Sequence, residues 1–593
     1  MLRDIGRRAA IILAILAALT VTGGCTPNKP PELRNVVFVS LDTVRADHLS
    51  CYGYQRATSP HIDALAAEGM LFENAMAQSS WTTPSHASLF TGLLSSAHGA
   101  AQLNQPIKKE VPVLAEYLQD AGFQTGGFVT HLFVGDYLGF DRGFDSFWYE
   151  QTPRAKGPVD AALTWLEGRN EKPFFLFLHL FDPHHPYAPP DKYVRQYEGD
   201  CRREPGNMAS LGKLFDRDAT GRDQLLACLI RRYDDEIHYA DEQLGRLFAY
   251  LKEKALWDQT LVVFLSDHGE EFLDHGSVLH AITLYQEQLH VPLILAGGPP
   301  GLLQAGSRVK GRVALYDIMP TLLDLFDIKP KATMTAQTLL PHLRGKTQPD
   351  RDVIAETNDV GPDRMTLLSG PAKYLYAPDA HVFQQHMSAE FYDLAGDPGE
   401  KHNLLDERPQ EAARVRARMI EQGRYATRQA WRIMWGGAGS ERAVRGRLQT
   451  EGRFTHAFKY LGFTRFDEIP EDLPIDQALR QADYQIHRAS RVISFSAADH
   501  IVANGFAAVL AQADAPLTLT VDWRTETGDG KRETLTIAGT PTRDKPLLAA
   551  GGLVRIFTED ILTFPEAPPE LEISRKEKLP APLKQKLRTL GYF

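Results

Sequence analysis

Cysteine is scarce in this chain: four residues among 593, none in a C-x-x-C pair, so nothing suggests a cysteine-based zinc module. A surplus of basic residues is missing too. The formal net charge is −10, which offers no cationic surface for nucleic acid. There is no internal repeat, and no residue class is strongly enriched, so the composition is that of an ordinary globular protein. The apolar run from Ala9 to about Val21 is shorter than the roughly 20 residues of a membrane-spanning helix.

That run follows Arg3, Arg7 and Arg8, the charge-then-apolar order of a secretory signal. Thr22-Gly23-Gly24-Cys25 comes next and resembles a bacterial lipobox, with Thr22 where a Leu is usual. Residues 1–24 are therefore expected to be a signal peptide, with Cys25 carrying lipid. Pro27, Pro30 and Pro31 make 25–33 a polar tether. The expected location is the bacterial cell envelope, with membrane contact through the lipid. Thr26 after the Cys favours the outer membrane in a Gram-negative host. Cys51 lies in a loop-like Cys-Tyr-Gly-Tyr, and Cys201 and Cys228 could pair in an oxidising compartment; spacing alone does not decide it.

About 560 residues remain, too many for one core, so at least two domains are expected. From 34 to about 405, short apolar runs alternate with amphipathic stretches, the pattern of an α/β fold around a buried sheet. Asn35 to Leu41 ends at Asp42, Phe174 to Leu180 leads into Asp182-Pro183-His184-His185, and Leu261 to Ser266 ends at Asp267-His268. Such runs read as central strands buried on both faces. Ligands of open α/β sheets bind beyond the carboxyl ends of strands, so these tips should converge. Residues 406–435 are rich in Arg, Glu, Ala and Gln and read as helix, within a helical linking region 406–484. Alternation of Leu517, Leu519, Val521 and Trp523 with polar residues, then a Gly528-Asp529-Gly530 turn, marks a β-rich region at 485–575. A Lys/Leu-rich helix at 576–593 closes the chain. The β-rich region could bind carbohydrate, but Trp523 falls on the face expected to be buried, which favours packing.

Two constellations carry chemistry. A strand-end Asp42 is by itself an ordinary cap; an adjacent Asp267-His268 at a second strand end, followed by Gly269 and Glu270, makes a ligand set plausible. Carboxylates with imidazole suit Mn²⁺ or Zn²⁺ better than Mg²⁺ or Ca²⁺. The second constellation is Thr82-Thr83-Pro84-Ser85-His86-Ala87-Ser88-Leu89-Phe90-Thr91-Gly92. Pro84 suits a first helical turn, and the helix N-terminus either meets an anion or is a capped structural end.

Read in order, several segments resemble the sulfatase family of the alkaline-phosphatase superfamily. They are Leu41-Asp42-Thr43-Val44-Arg45-Ala46-Asp47 with Cys51-Tyr52-Gly53-Tyr54, Thr82 to Gly92, Asp182-Pro183-His184, and Ser266-Asp267-His268-Gly269-Glu270-Glu271. Val291-Pro292-Leu293, Tyr392-Asp393-Leu394, Asp397-Pro398-Gly399-Glu400 and Asn403-Leu404 complete the set, with Leu590-Gly591-Tyr592 at the end. The resemblance covers 34–405. It implies an α/β fold with a central mixed sheet between helices, and hydrolysis or transfer at a sulfate or phosphate centre with a divalent metal: Mn, Zn or Ca, with the His ligand favouring Mn or Zn.

Two departures shape the chemistry. The family pattern has a Cys or Ser, oxidised to formylglycine, followed by x-Pro-Ser-Arg; here Thr82 and His86 occupy those two positions. A secondary alcohol would oxidise to a ketone, so the hydrated-aldehyde route is closed. A threonyl phosphate can be resolved by attack at phosphorus, which favours phosphoryl over sulfuryl chemistry. Thr43, where many sulfatases have a second Asp, and His268, where they have Asn, lean the same way. The resemblance implies Asp42, Asp267, His268 and the Thr82 oxygen as metal ligands. It implies His184 at the transferring group and His280 near the leaving oxygen, where an imidazole could act as general acid. His86 and Arg45 are candidates for the substrate anion, Arg45 equally for a structural ion pair. Asp182, His184 and His280 are a candidate second metal site. His131 and His275 are weaker candidates, His179, His185 and His290 read as structural, and Glu270-Glu271 as support for the ligands or a helix start. Substrates would be small-molecule, glycan or lipid-headgroup esters. The alternative is an inactive lipoprotein that binds an anionic glycan or headgroup.

Overall fold

The computed structural model describes residues 32–563 apart from 102–104, 151–153, 195–200, 202–205, 215–220, 347, 358–363, 378–388, 436–443, 453, 461–483, 487–491, 498–503, 511–514, 525–529, 538–540, 542–544 and 550–553. The signal peptide, Cys25, nearly all of the tether, most of the 461–484 stretch, the Gly528-Asp529 turn and the C-terminal helix with Leu590-Gly591-Tyr592 lie outside the described residues.

The three apolar runs form strands Asn35–Leu41, Phe174–Leu180 and Thr260–Leu265, buried at every position. They lie side by side and parallel, with Asn35–Leu41 in the middle. Their alternate residues feed two cores. Phe38, Phe177 and Val263 pack with Leu89 and Phe90 on one face, while Val39, Leu178 and Phe264 pack with Ile62, Val159, Leu229 and Tyr233 on the other. This two-sided burial is why the runs are continuously apolar rather than alternating. Gln124–Val129 and Ser146–Tyr149 extend the sheet in parallel on one side. On the other, Leu293–Gly297 runs antiparallel to Thr260–Leu265 and to Met70–Phe72, which pairs in parallel with Ser307–Val309. The result is an eight-stranded mixed sheet between helices, as expected.

Register places the chemistry. Ser40 lies opposite both His179 and Leu265, so the three strands end level and release Asp42, Asp182 and Asp267 at one edge. The long helix Arg222–Glu253 backs that edge, and a disulfide joins its Cys228 to Cys201.

Beyond the sheet, four antiparallel strands, Val353–Thr357, Arg364–Ser369, Ala372–Tyr376 and Ala389–Asp393, form a second layer. Helix Pro409–Gly423 follows and ends at Arg424, which has φ 54°. The helical reading of 406–435 holds for Pro409–Gly423 and fails beyond it: Ala426–Trp435 is a strand, paired on one side with Asn504–Leu510 and on the other with Val554–Thr563. Its Ala, Arg, Gln and Met suit a helix, but two ladder partners far along the chain override local propensity. Strands Val444–Thr450 and Phe454–Tyr460 likewise replace part of the expected helical region. The β-rich part thus starts near 426 and contains two five-stranded sheets. In the Leu517–Arg524 strand, Leu517, Leu519 and Val521 are buried, as their alternation requires.

Helix Thr82–Thr91 is buried along its whole length and rests on His98, whose Nε2 is 3.1 Å from Ser88 Oγ and whose Nδ1 accepts the Ala100 N–H. Burial pushes His98 from 6.5 down to about 3, with Lys108 adding to the effect. Between those values the unfolded chain binds a proton that the folded chain refuses, so this residue's contribution to stability is lost as pH falls. Melting curves should show wild type losing stability faster than His98→Asn between about pH 7 and about pH 5, by roughly 2 kcal/mol at the acid end. Parallel pH profiles would refute this.

Candidate active site

Thr82 opens its helix, with Trp81 extended before it at φ −156° and Pro84 inside the first turn, where a missing N–H costs nothing. Its hydroxyl lies 3.4 Å from Asp42 Oδ2 and 3.4 Å from His268 Nε2. His268 Nε2 is in turn 3.4 Å from Asp267 Oδ2 and 3.7 Å from Asp42 Oδ1. The nucleophile candidate and the three ligand candidates, spread over more than two hundred residues of sequence, therefore meet in one fully buried cluster.

The donor chemistry shows what this cluster lacks. His268 Nδ1 is 2.9 Å from the Gly269 carbonyl, which can only accept, so Nδ1 carries the proton and Nε2 presents a lone pair. Asp42 Oδ1 and Asp267 Oδ2 are buried without a hydrogen-bond donor. Three acceptors thus face one another within 4.8 Å, an arrangement that a cation satisfies and a protein hydrogen bond does not. Burial, reinforced by the Asp267 charge, holds Asp42 well above the usual carboxylate range. Burial acts on Asp267 too, but His268 and His86 outweigh it and keep that carboxyl low. The triad fits a divalent ion.

The surroundings fix these atoms. His179 Nε2 is 3.0 Å from Asp42 Oδ2; burial pushes this imidazole down to about 3, so it is neutral and donates. Thr43 adopts φ 60°, which is strained for a β-branched residue and costs about 1–3 kcal/mol. Tyr233 Oη holds it there by donating to Thr43 O and accepting from Arg45 N, and Ser266 Oγ accepts from Val44 N. The Thr43 N–H then reaches Asp267 Oδ1 at 3.4 Å.

Two residues expected at the substrate anion are employed elsewhere. His86 is fully buried: Nδ1 is 2.9 Å from Thr82 O and 3.3 Å from Asp267 Oδ2, and Nε2 is 2.9 Å from Ser40 Oγ. An imidazole is too short to pass Asp267, so it props the ligand from below. Arg45 bonds both oxygens of Asp47, Asp274 and the Glu270 carbonyl; it is the structural ion pair.

His184 and His280 do gather beside the triad. His280 lies 4.5 Å from the His268 ring and 4.8 Å from His184, between ring centroids. His184 stacks on Phe181, its Nδ1 is bonded to His185 O, and its buried Nε2 has no partner. The second metal site does not form: among the described residues Asp42, Asp267 and His268 are the one group within ligating distance. Asp182 instead accepts from Ala155 N, and burial pushes it up to about 7. His131 stacks on Phe181 beside His184, while His275 pairs with Glu287 and stacks on Tyr285. Glu270 supports the site, bonded to His280 Nδ1 and to Tyr187 Oη. Sequence reasoning missed His179, Tyr187 and Tyr233. A lone histidine one residue from the end of an otherwise apolar strand was the available signal for the first; the tyrosines gave none.

A mixed sheet that delivers carboxylates and an Asp-His pair beside a helix-borne hydroxyl defines the alkaline-phosphatase superfamily class. Within it, the family model described as Sulfatase matches residues 34–328, and the chain belongs to the sulfatase family. Among curated relatives, it is 26% identical to the uncharacterized sulfatase YidJ of Escherichia coli (strain K12), over 63% of this chain and 83% of that one. It is 26% identical to the multifunctional alkaline phosphatase superfamily protein PehA of Trinickia caryophylli, over 65% and 93%. Among solved structures, the phosphonate monoester hydrolase of Agrobacterium radiobacter superposes with TM-score 0.53 at 22% identity, covering 66% of this chain and 95% of that one.

Gly269 explains one motif position. A Cβ there would sit 2.0 Å from the Glu287 carbonyl oxygen, so Gly269→Ala must push the His268–Glu270 segment off its neighbour. Metal titration by calorimetry should show affinity reduced at least about tenfold for this variant. Unchanged affinity would mean the loop tolerates the shift and the glycine has another purpose.

Proposed function

We propose that this protein is a metal-dependent hydrolase or transferase of sulfate or phosphate esters in which Thr82 is the nucleophile, with phosphoryl transfer favoured. The observation that carries this reading is the Thr82 hydroxyl 3.4 Å from both Asp42 Oδ2 and His268 Nε2, beside two buried carboxylate oxygens that lack donors. Asp42, Asp267 and His268 would hold the ion together with the Thr82 oxygen, and the imidazole favours Mn²⁺ or Zn²⁺ over Ca²⁺. When bound, such an ion neutralises the carboxylates and makes a ligated hydroxyl more acidic.

The chain's own groups divide the remaining work. Thr82 attacks the phosphorus or sulfur centre, forming one ester bond as the bond to the substrate's alcohol oxygen breaks. Water or an acceptor alcohol then attacks the same centre and the bond to Thr82 Oγ1 breaks. For sulfate this second step must occur at sulfur, because a threonyl ester has no aldehyde-type exit; phosphorus accepts such attack more readily. His184 and His280 stand where the departing oxygen needs a proton. Burial pushes His280 down to about 4, so a proton placed on this ring is readily given up. PehA, described as multifunctional, and the phosphonate monoester hydrolase fold relative support a substrate range beyond sulfate. An inactive binding protein would have no need to keep the Asp42, Thr82, Asp267 and His268 quartet in one cluster.

We also propose that the protein lies in the cell envelope, lipidated at Cys25, a reading that the Cys201–Cys228 disulfide supports, since it suits an oxidising compartment.

Wild type supplied with Mn²⁺ or Zn²⁺ should hydrolyse p-nitrophenyl phosphate or bis-p-nitrophenyl phosphate faster than p-nitrophenyl sulfate. Thr82→Ala should lose at least about 10³-fold in kcat, and mass spectrometry of quenched wild type should find the transferred group on Thr82. Turnover surviving in Thr82→Ala, or an adduct elsewhere, would remove Thr82 from the mechanism. Chelation should abolish turnover and lower Tm, because an ion that binds only the folded chain stabilises it; Tm insensitive to chelator would argue against a bound ion.

A further inference from the structure

The loop carrying His280 is held in a conformation that its residues disfavour. Leu279 has φ 70° and Ala281 has φ 76°, left-handed backbone on both sides of the histidine, and neither residue is Gly, Asn or Asp. Strain of this kind persists only where the surroundings over-determine it, and it gathers at functional positions. The restraints are visible. Ala281 N donates to Ser80 O, two residues before the nucleophile, at 2.8 Å, and Thr357 Oγ1 donates to Ala281 O at 3.1 Å. The ring itself is restrained through Nδ1, 2.9 Å from Glu270 Oε1. Glu270 is fully buried, and its other oxygen accepts from Tyr187 Oη at 2.9 Å. Tyr187, also fully buried, belongs to the loop that bears His184, and its N–H donates to Gly206 O at 3.0 Å.

We infer that Glu270, braced by Tyr187, is a positioning residue that occupies Nδ1 of His280 and leaves Nε2 as the one ring nitrogen open to the reacting group. The inference rests on reading the site as a Thr82-dependent ester hydrolase. His280 Nε2 then exchanges a proton in both half-reactions. In the first, the protonated ring gives the Nε2 proton to the departing substrate oxygen as the Thr82 oxygen bonds to the central atom. In the second, the neutral ring takes a proton at Nε2 from the attacking water as the bond to Thr82 Oγ1 breaks. Over the two halves the histidine and the Thr82 oxygen both end as they began. A ring free to rotate would present Nδ1 and Nε2 in turn and lose alignment in the transition state without losing the substrate.

The kinetic test uses metal-loaded, full-length protein and whichever p-nitrophenyl ester wild type turns over. Glu270→Ala should lower kcat about 10- to 100-fold, with KM within about threefold and metal stoichiometry unchanged. Glu270→Gln, which keeps a hydrogen-bonding partner for the ring, should retain most of kcat. In a His280→Ala background Glu270→Ala should change kcat less than about twofold, since its effect passes through that ring. A further tenfold loss there, or lost metal, would show that Glu270 acts through His268 and would overturn the inference. A crystal structure of the metal-loaded protein with orthovanadate supplies a readout independent of turnover: Nε2 should face the vanadate while Nδ1 stays on Glu270. Nδ1 facing the vanadate, or a ring turned away from it, would overturn the inference even in an active enzyme. Absence of any esterase activity would count against the Thr82 reading, and the ring's orientation would still decide this one.

Discussion

Three electron-pair donors held within 4.8 Å of one another are the constraint around which this structure is built. Asp42 Oδ1, Asp267 Oδ2 and His268 Nε2 repel one another wherever no cation intervenes, and burial deepens the cost because charge is poorly screened inside a protein. Removing a partner from a buried charged set usually costs about 3–5 kcal/mol, so the rest of the fold must hold these three groups in register. The sheet does that holding. Three parallel strands, buried on both faces, end at one level, and their tips cannot separate without breaking two hydrophobic cores.

Precision at the tips comes from polar groups behind them. His179 and Thr82 both reach Asp42 Oδ2, His86 braces Asp267 from beneath, and Tyr233 pins the strained Thr43. They sit on three elements: His179 on a strand, Thr82 and His86 on the helix Thr82–Thr91, and Tyr233 on the long helix. Displacing one carboxylate therefore means moving several layers together, and such packed layers deform little. Rigidity of this kind is what nucleophilic displacement needs, since small errors in the placement of a reacting oxygen cost large factors in rate.

Much of this was legible from sequence, and the boundary of legibility is physical. The central strands could be read because burial on both faces writes a continuous apolar run. The triad could be read because catalytic side chains of such sheets sit where those runs stop. Thr82, Asp42, Asp267 and His268 follow from those two facts together with the family-like order of motifs. What could not be read was decided by partners distant in sequence. Arg45 looked available for an anion until Asp274, 229 residues away, took its guanidinium. His86 stood in an arginine's place, but its shorter ring stops at Asp267. The segment Ala426–Trp435, with its Ala, Arg, Gln and Met, reads as helix on its own and becomes a strand because Val554–Thr563 pairs along its whole length. Local pattern reports burial well and reports pairing poorly.

The late motif around Glu400 shows how remote sequence can serve the site without touching substrate. Glu400 Oε2 accepts from Gln286 N, its carbonyl lies 3.0 Å from His275 Nε2, and Oε1 is 2.5 Å from Lys373 Nζ, with both side chains fully buried. Such a pair adds little net stability, because desolvating two charges offsets their attraction. It does, however, admit few alternatives. Lys373 belongs to the four-stranded second layer, while Gln286 and His275 flank the loop that presents His280. A shift of that loop would strand a buried charge, so the ion pair converts the position of the second layer into a fixed position for the histidine loop. Glu400 thus serves geometry rather than chemistry, and the unit that positions the His280 loop does not end with the main sheet; it includes the four-stranded layer.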